Sequence, residues 1–288
     1  MDKLISYQKE VITNFTHNLF YKTPDNTDYQ TLRINLSSKK IICENYVSES
    51  RIIFNKEDLA TYEILKDGCI NIHLHNDVNL DTSLYYALQI PLGCLYAQNG
   101  YLIAHASVAE KNGKCSAFFG SPGIGKSSLL MMLMNNGWNF VTEDICVIDT
   151  LNNYRCIPSQ PYIKLSNDLA KINNIDLVTT NIQTDRLGRN VYQFDESAMS
   201  KGAKLESIFF LDWGSIINLY TPTESTYLRL LLNYLVPSFQ SKANDMQIKT
   251  YKKVLGLINR VPSYVFERPK SLNKAAVDAV IYKINELN

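Results

Sequence analysis

One short segment of this sequence combines glycines, a lysine and a serine at a spacing that could bind phosphate groups. In residues 120–127 a glycine, four further residues, a second glycine, a lysine and a serine follow one another, which is the Walker A pattern. An apolar run at residues 115–119 precedes it and a helix-forming run follows from residue 128. Because this pattern binds phosphate between a strand and a helix, it predicts a nucleotide-binding loop. The predicted binding residues are Gly120, Ser121, Pro122, Gly123, Ile124, Gly125, Lys126, Ser127 and Ser128.

The chemistry of such a loop follows from the negative charge of a triphosphate. Backbone N–H groups at the start of a helix have no partner within the helix, and the helix dipole favours an anion there. We expect Lys126 to span the β- and γ-phosphates and the Ser127 hydroxyl to bind Mg²⁺, so the predicted cofactors are ATP and Mg²⁺. Pro122 removes one N–H group from the loop. A glycine-rich turn before a buried helix would not explain Lys126 and Ser127 together.

Two adjacent acids interrupt the next apolar run, residues 140–148, which predicts a strand. Glu143 and Asp144 follow Thr142 inside this run, and burying both without a cation or strong donors would cost several kcal/mol. We expect neighbouring strands to place them beside the strand that enters the loop, where Lys126, Mg²⁺ or a substrate hydroxyl would stabilise a carboxylate. A strand end at which both acids are solvated is the alternative.

A second acid offers a different metal partner. Residues 208–211 are apolar and precede Asp212. Four apolar residues followed by an acid are typical of a Walker B strand. If Asp212 holds the metal, the chain is closer to an ordinary P-loop NTPase, and Glu143 and Asp144 lose their central role. The sequence carries neither the signature loop of an ABC-type ATPase nor the Asn-Lys-x-Asp motif that reads guanine.

Composition indicates a globular chain and excludes some partners. Of 288 residues, 45% are hydrophobic, and 29 basic residues balance 28 acidic ones. This balance gives no basic field for nucleic acid and no polybasic membrane anchor, and no apolar stretch approaches the ~20 residues that span a bilayer. We expect a cytoplasmic protein with no nucleic-acid or membrane partner, whose six cysteines are reduced and mostly buried. His73 and His75 are expected on a solvated strand face rather than in a metal site.

The remaining patterns predict strands mixed with helices, and therefore an α/β core. Residues 30–77 read as a small meandering sheet. An apolar stripe at residues 84, 88, 92 and 95 predicts a helix that is capped at residues 81–83, is kinked or interrupted at Pro91 and ends near residues 99–100. Asn112 and Gly113 predict a tight turn between strands at residues 101–110 and 114–119. Beyond the loop we expect helices at residues 127–136, 226–235, 245–258 and 272–287, and strands at residues 207–211 and 263–266.

The segment from residue 99 to residue 150 resembles a known family. His105-Ala106-Ser107-Val108, the hairpin, the loop, Asn136-Gly137 and residues 141–148 together are similar to the catalytic core of HPr kinase/phosphorylase. The likeness extends to HPr-kinase-like enzymes of peptide-modification gene clusters and, more distantly, to the phosphoenolpyruvate carboxykinase nucleotide fold. It implies an α/β fold with a P-loop kinase core at residues 99–288. Residues 1–98 are then a small β-rich N-terminal domain with a connecting helix.

The resemblance also implies roles for residues. His105 takes the place of the family histidine near the transferred phosphate, where it would donate to a γ-phosphate oxygen; a histidine satisfied within the core is the alternative. Glu143 and Asp144 take the place of the family's paired aspartates. Asp144 is the expected general base and, with Ser127, a metal ligand; Glu143 is its metal partner or support. Lys126 completes the predicted catalytic set. Residues 188–190 match three letters of the family's Gly-Arg-Asn signature without its surroundings.

These residues together predict a kinase that uses ATP and Mg²⁺ to phosphorylate a hydroxyl, above all a serine of a peptide or small protein. The alternatives are a nucleotide-binding regulatory or scaffold module without phosphotransfer, and a small-molecule kinase acting on serine or a sugar. A homo-oligomer is left open. Four basic residues could contact phosphate or an acidic acceptor, although solvated surface is the favoured interpretation for each: Arg155, Lys164, Arg186 and Arg189.

Overall fold

The structure is a computed structural model that describes most of the 288 residues. The described ranges are residues 3–6, 9–13, 21–23, 30–39, 44–48, 50–75, 78–171, 175–182, 188–236, 244–270 and 274–286. Within them the chain forms a mixed α/β fold with three β-sheets. None of the helices in these ranges combines the length and apolar character that spanning a bilayer requires.

The secondary-structure elements are named here in chain order. The strands are β1 (Lys3–Ser6), β2 (Lys9–Thr13), β3 (Tyr21–Thr23), β4 (Gln30–Leu36), β5 (Tyr46–Val47), β6 (Arg51–Lys56), β7 (Ala60–Leu65), β8 (Cys69–Leu74), β9 (Leu102–Lys111), β10 (Lys114–Phe119), β11 (Asn139–Thr142), β12 (Ile145–Asp149), β13 (Arg155–Ile157), β14 (Tyr162–Leu165), β15 (Leu177–Thr179), β16 (Asn190–Phe194), β17 (Lys204–Trp213), β18 (Asn218–Tyr220) and β19 (Ser263–Arg268). The α-helices are α1 (Leu80–Ala87), α2 (Ile90–Gln98), α3 (Lys126–Asn135), α4 (Asn167–Lys171), α5 (Glu224–Asn233), α6 (Asn244–Ile258) and α7 (Lys274–Glu286).

The first sheet is larger than the meander that the sequence predicts. Strands β6, β7 and β8 do form an antiparallel meander, but β8 continues through parallel pairing with β4, and β4 pairs in parallel with β2. The sequence pattern missed β7 and the strands before residue 24. The strand-like run at residues 41–43 lies outside the described residues.

Two helices follow the first sheet, so the predicted helix is interrupted rather than kinked, and the break at residues 88–89 comes just before Pro91. The cap of α1 is Asn79, whose side chain accepts a hydrogen bond from the Thr82 backbone N–H at 3.0 Å, so the predicted cap at residues 81–83 is wrong. Pro91 lies in the first turn of α2, where its missing N–H removes no helical hydrogen bond. The apolar stripe of both helices packs into the core beneath the first sheet. The predicted boundary at residue 98 falls between α2 and β9, and the division into two domains stays a prediction.

The second sheet positions the predicted nucleotide-binding loop. The predicted hairpin of β9 and β10 is confirmed, with Asn112 and Gly113 at φ values of 54° and 78°. β10 pairs in parallel with β17, which pairs in parallel with β19. The carboxyl ends of these three strands therefore meet at one edge, which is where ligands bind in α/β sheets. Residues of α3 and α7 pack on one face of this sheet and residues of α5 and α6 on the other.

The acids do not lie beside the strand that the sequence predicted. The expected strand at residues 140–148 is divided into β11 and β12, and both pair with β9 rather than with β10. One strand therefore separates the acids from the strand that enters the loop. They reach the loop because Asp144 has a φ of 68°, a left-handed conformation that Asp adopts more readily than most residues, so the backbone turns out of the sheet there.

Histidine and cysteine placements complete the comparison. The expectation of a solvated face is wrong for His73, which is buried and whose Nδ1 lies 2.7 Å from the Lys39 carbonyl oxygen. His75 is half-buried, with Nε2 3.1 Å from the Thr61 hydroxyl. Across the described ranges, no cluster of three or more His, Cys, Asp or Glu could hold a metal. Five of the predicted reduced cysteines are buried free thiols, and Cys43 lies outside the described residues.

Candidate functional site

The predicted phosphate-binding loop connects β10 to α3 as the sequence indicates. Two of its glycines have left-handed backbones, Gly123 at a φ of 82° and Gly125 at 96°. A Cβ atom on Gly123 would meet nothing within 4 Å, whereas one on Gly125 would lie 2.4 Å from Nη2 of Arg268. Gly125 is therefore required both by its backbone angle and by the close approach of an arginine.

Lys126 lies at the N-terminus of α3 with its ammonium turned back over the loop. Its Nζ donates hydrogen bonds to the carbonyl oxygens of Gly120 at 2.6 Å and Ser121 at 3.4 Å. Only 7% of the residue is exposed. Burial lowers the pKa of Lys126, and the carboxylates of Asp144 and Glu143 oppose that shift. A second anion near this ammonium would further favour its charged form.

A cavity of about 410 Å³ opens over the N-terminus of α3 and collects most of the predicted site. Gly120, Ser121 and Ile124 do not line it: the first two hold Lys126, and Ile124 is packed into the core. Lys164 and Arg189 also line the cavity. The predicted residues that line it are His105, Pro122, Gly123, Gly125, Lys126, Ser127, Ser128 and Asp144.

Glu143 lies behind the cavity wall and links two elements. One of its carboxylate oxygens accepts a hydrogen bond from the Ser127 hydroxyl, and the other accepts one from the Lys164 backbone N–H at 2.8 Å. It is 4% exposed, and burial together with the neighbouring Asp144 raises the pKa of its carboxyl group. Glu143 thus joins the start of α3 to β14.

Asp144 faces the cavity and forms an ion pair with the ammonium of Lys164. Burial would raise the pKa of Asp144, but Lys164 and then His105 outweigh it and lower the pKa. For Lys164, burial alone would lower the pKa, yet Tyr85 and the Asp144 carboxylate raise it. Asp144 is therefore ionised near neutral pH and can accept a proton or a hydrogen bond.

His105 reaches the same cavity from β9. Its Nδ1 lies 2.9 Å from the backbone carbonyl oxygen of Asp144, and because a carbonyl only accepts, Nδ1 carries a hydrogen. Burial lowers the pKa of His105, which favours the neutral ring near neutral pH. Nε2 then carries a lone pair, so donation from His105 to a phosphate oxygen would require protonation.

The four basic residues that the sequence analysis singled out do not share one environment. For Lys164 the expectation of solvated surface is wrong, because 17% of its side chain is exposed and it contacts Asp144. Arg189 is half-buried in the cavity wall. Arg155 donates to the Lys201 carbonyl oxygen at 2.6 Å and does not line the cavity, and Arg186 lies outside the described residues. The apolar neighbours of Lys164 in β14, both buried, were the signal that this strand enters the core.

Asp212, the alternative metal partner, is exposed and points elsewhere. Its carboxylate accepts a hydrogen bond from the Trp213 backbone N–H at 2.8 Å, and it does not line the cavity that holds Lys126. Both Asp212 and the loop lie at the carboxyl edge of the second sheet, where β17 and β10 end. The geometry brings Asp144, and not Asp212, to the cavity.

Arg268 is a site residue that the sequence analysis missed. It ends β19, is 1% exposed, and donates from Nη2 to the carbonyl oxygen of Ile124 inside the loop. Its guanidinium carbon lies 4.7 Å from the ring centroid of Trp213. No local motif marks this arginine, because its partner in the loop is 144 residues away.

The donor set fits Mg²⁺ at one pair of residues. Mg²⁺ prefers oxygen ligands and usually takes one or two carboxylates, with phosphate and water completing its shell. The Ser127 hydroxyl and the Glu143 carboxylate are already in contact, whereas Asp144, the partner predicted for Ser127, contacts Lys164 instead. The geometry therefore favours Glu143 as the carboxylate nearest to a metal at Ser127.

Comparisons with known proteins find similarity among solved structures. No protein-family model matches the sequence, and no curated protein matches it. Among solved structures, the HPr(Ser) kinase/phosphatase from Coxiella burnetii is similar to this chain at a TM-score of 0.33 and 10% sequence identity, over 64% of this chain and 88% of that one.

Proposed function

We propose that this chain is a kinase that uses ATP and Mg²⁺ to phosphorylate a hydroxyl group, with a serine of a peptide or small protein as its acceptor. The observation that carries the proposal is the cavity in which Lys126 of the loop and the Asp144 carboxylate face one space. The acceptor class rests on the resemblance of residues 99–150 to HPr-kinase-like enzymes.

The cations that line the cavity are complementary in sign to the negative charge of a triphosphate. Lys126, Lys164 and Arg189 all line it, and loop N–H groups add donors at the start of α3. Ser127 and Glu143 would hold Mg²⁺, which neutralises charge on the β- and γ-phosphate oxygens when bound. Phosphoryl transfer needs positioning and charge stabilisation more than covalent chemistry from the protein, and these residues supply both.

Asp144 is the proposed proton acceptor. The acceptor oxygen bonds to the γ-phosphorus while the bond from that phosphorus to the β–γ bridging oxygen breaks, and ADP leaves with the electron pair. The hydroxyl proton moves to the Asp144 carboxylate and then to solvent. Although its pKa is lowered, Asp144 can orient the hydroxyl, which matters more than base strength in a loose transition state. Nε2 of His105 is a second acceptor within the same cavity.

A nucleotide-binding module without phosphotransfer is the second candidate. The ion pair between Lys164 and Asp144 favours it, because the ammonium lowers the pKa of the carboxyl group and so weakens Asp144 as a proton acceptor. The two candidates share the loop and differ in whether the γ-phosphate is transferred.

The test compares two aspartates at the same sheet edge. Labelled phosphate from ATP is followed onto a panel of serine-containing peptides for the wild type, Asp144→Asn and Asp212→Asn. We expect Asp144→Asn to lower transfer by about 100-fold or more with nucleotide affinity retained, and Asp212→Asn to stay within about twofold, because exposed substitutions away from a site change little. Loss of transfer in Asp212→Asn alone would contradict the proposal. ATP binding without labelling of any peptide would favour the second candidate.

A further inference from the structure

A second cavity, of about 400 Å³, lies on the other side of the loop. It shares Gly123, Gly125 and Ser128 with the cavity that holds Lys126, so the two spaces adjoin at the N-terminus of α3. Its volume is within the ~300–1,000 Å³ of small-molecule sites. A ligand with its terminal phosphates at Lys126 can therefore extend past Ser128 into this second space.

The walls of this cavity differ in chemistry from those of the first. Met131 and Met132 of α3 form one side, and the ends of β17 and β19 contribute Trp213 and Arg268 to the other. These two residues are register partners on parallel strands, so both stand at the carboxyl edge of the sheet. Apolar walls with a few polar groups are typical of small-molecule sites.

Trp213 is placed to contact a planar ring. It is 41% exposed, whereas the chain's other tryptophan, Trp138, is 3% exposed. The guanidinium carbon of Arg268 lies 4.7 Å from the Trp213 ring centroid. This cation–π contact holds the ring in place. Among the described residues Arg268 Nε has no hydrogen-bond partner, although the residue is 1% exposed. An indole held beside a buried guanidinium is a stacking surface for a nucleobase.

We propose that this cavity, called here the base cavity, binds the purine base of the nucleotide, with Trp213 as its stacking contact. The inference rests on the proposed function, since it needs a nucleotide on the loop. Only one orientation of the nucleotide fits the two cavities. The proton acceptor Asp144 and the cations Lys164 and Arg189 line the first cavity and not the base cavity, so the γ-phosphate and the acceptor occupy the first and the nucleoside the second.

The test separates the base from the phosphates. Dissociation constants for ATP and for inorganic tripolyphosphate are measured by calorimetry with the wild type, Trp213→Ala and Trp213→Phe. Because stacking is worth ~1–3 kcal/mol per base, we expect Trp213→Ala to weaken ATP binding by roughly 5- to 150-fold. Tripolyphosphate binding should not change, and Trp213→Phe should recover most of the ATP affinity.

A second measurement needs no variant. Acrylamide quenches exposed tryptophan, and only Trp213 is exposed. ATP should lower the quenching constant of the wild type, whereas tripolyphosphate should leave it unchanged.

The negative outcomes are distinguishable. If tripolyphosphate and ATP both bind but neither Trp213→Ala nor quenching responds to the base, the base cavity is overturned and the proposed function stands. If the wild type binds neither ligand, both are overturned.

Discussion

The two cavities beside the loop are nearly equal in volume, about 410 and 400 Å³, but they differ in chemistry. The first is lined by a histidine, an aspartate, two lysines and an arginine. The second has apolar walls from two methionines, a leucine and a tryptophan, and its charged residues are two cations, Arg268 and Lys270. One loop therefore separates a space suited to charge from a space suited to a ring. A nucleotide carries charged phosphates and a planar base in one molecule. The two cavities together therefore support the proposed nucleotide better than either cavity does alone.

The largest effect should come from Lys126, which lines the first cavity, called here the charged cavity. We expect Lys126→Ala to weaken ATP and tripolyphosphate binding equally, by roughly 30- to 4,000-fold, because truncating one partner of a buried charge pair costs ~2–5 kcal/mol. Trp213→Ala, in contrast, should affect ATP alone. Calorimetric titration of both ligands checks this, with Lys249→Ala on the exposed part of α6 as a control. Unequal losses for the two ligands in Lys126→Ala would break the division between the cavities.

A smaller effect concerns pH, to which only the charged cavity should respond. Lys164 lowers the pKa of Asp144, so phosphoryl transfer is lost only when pH falls through that lowered value. In Lys164→Ala the pKa of Asp144 rises, and the acidic limb of the rate profile should move to higher pH by about one unit or more. Lys164→Arg keeps the charge and should leave the limb near that of the wild type. A limb that does not move in Lys164→Ala would show that Asp144 is not the group being titrated.

The smallest effect is on stability and arises behind the wall of the charged cavity. The pKa of Glu143 is raised in the folded chain from its ordinary value of 4.5. The folded state therefore binds more protons than the unfolded state, and the free energy of unfolding falls as the pH rises from 4.5 through the raised pKa. Glu143→Gln keeps both contacts if its amide oxygen accepts from the Lys164 backbone N–H and its NH₂ group donates to the Ser127 hydroxyl oxygen. It should raise the Tm by about 2 °C at pH 8 and by less at pH 4.

Thermal unfolding of Glu143→Gln at the two pH values is the measurement. The same experiment on Trp213→Phe should show no such dependence on pH. A lower Tm at pH 8 for Glu143→Gln would indicate that the Glu143 carboxylate stabilises the fold as an ion.

The sequence predicted the local part of this site better than the distant part. The loop, the helix after it and the hairpin before it depend on neighbouring residues, such as Asn112 and Gly113 in the turn. The ion pair of Lys164 with Asp144 joins positions 20 residues apart, and no spacing rule encodes it. Arg268 lies farther still from the loop, and it was not anticipated at all.

The same division holds for the fold. Strands with alternating apolar residues, such as β6 and β8, were predicted from their own sequence. Strand β4 was predicted in the same way, but its parallel pairing with β8 and with β2 was not, because parallel pairing joins segments that are not adjacent in the chain. The position of the acids was wrong for a related reason: the pattern shows a strand but does not show that β9 lies between it and β10.

The left-handed backbone at residue 144 restricts how that position can be studied or varied. Asparagine and glycine occupy this region of φ and ψ readily, whereas alanine and the branched residues do so at a cost. An alanine scan would therefore combine a backbone penalty with the loss of a carboxylate and overstate the importance of the side chain. Among the residues that keep the backbone shape, asparagine alone also keeps the size of aspartate, so it isolates the charge.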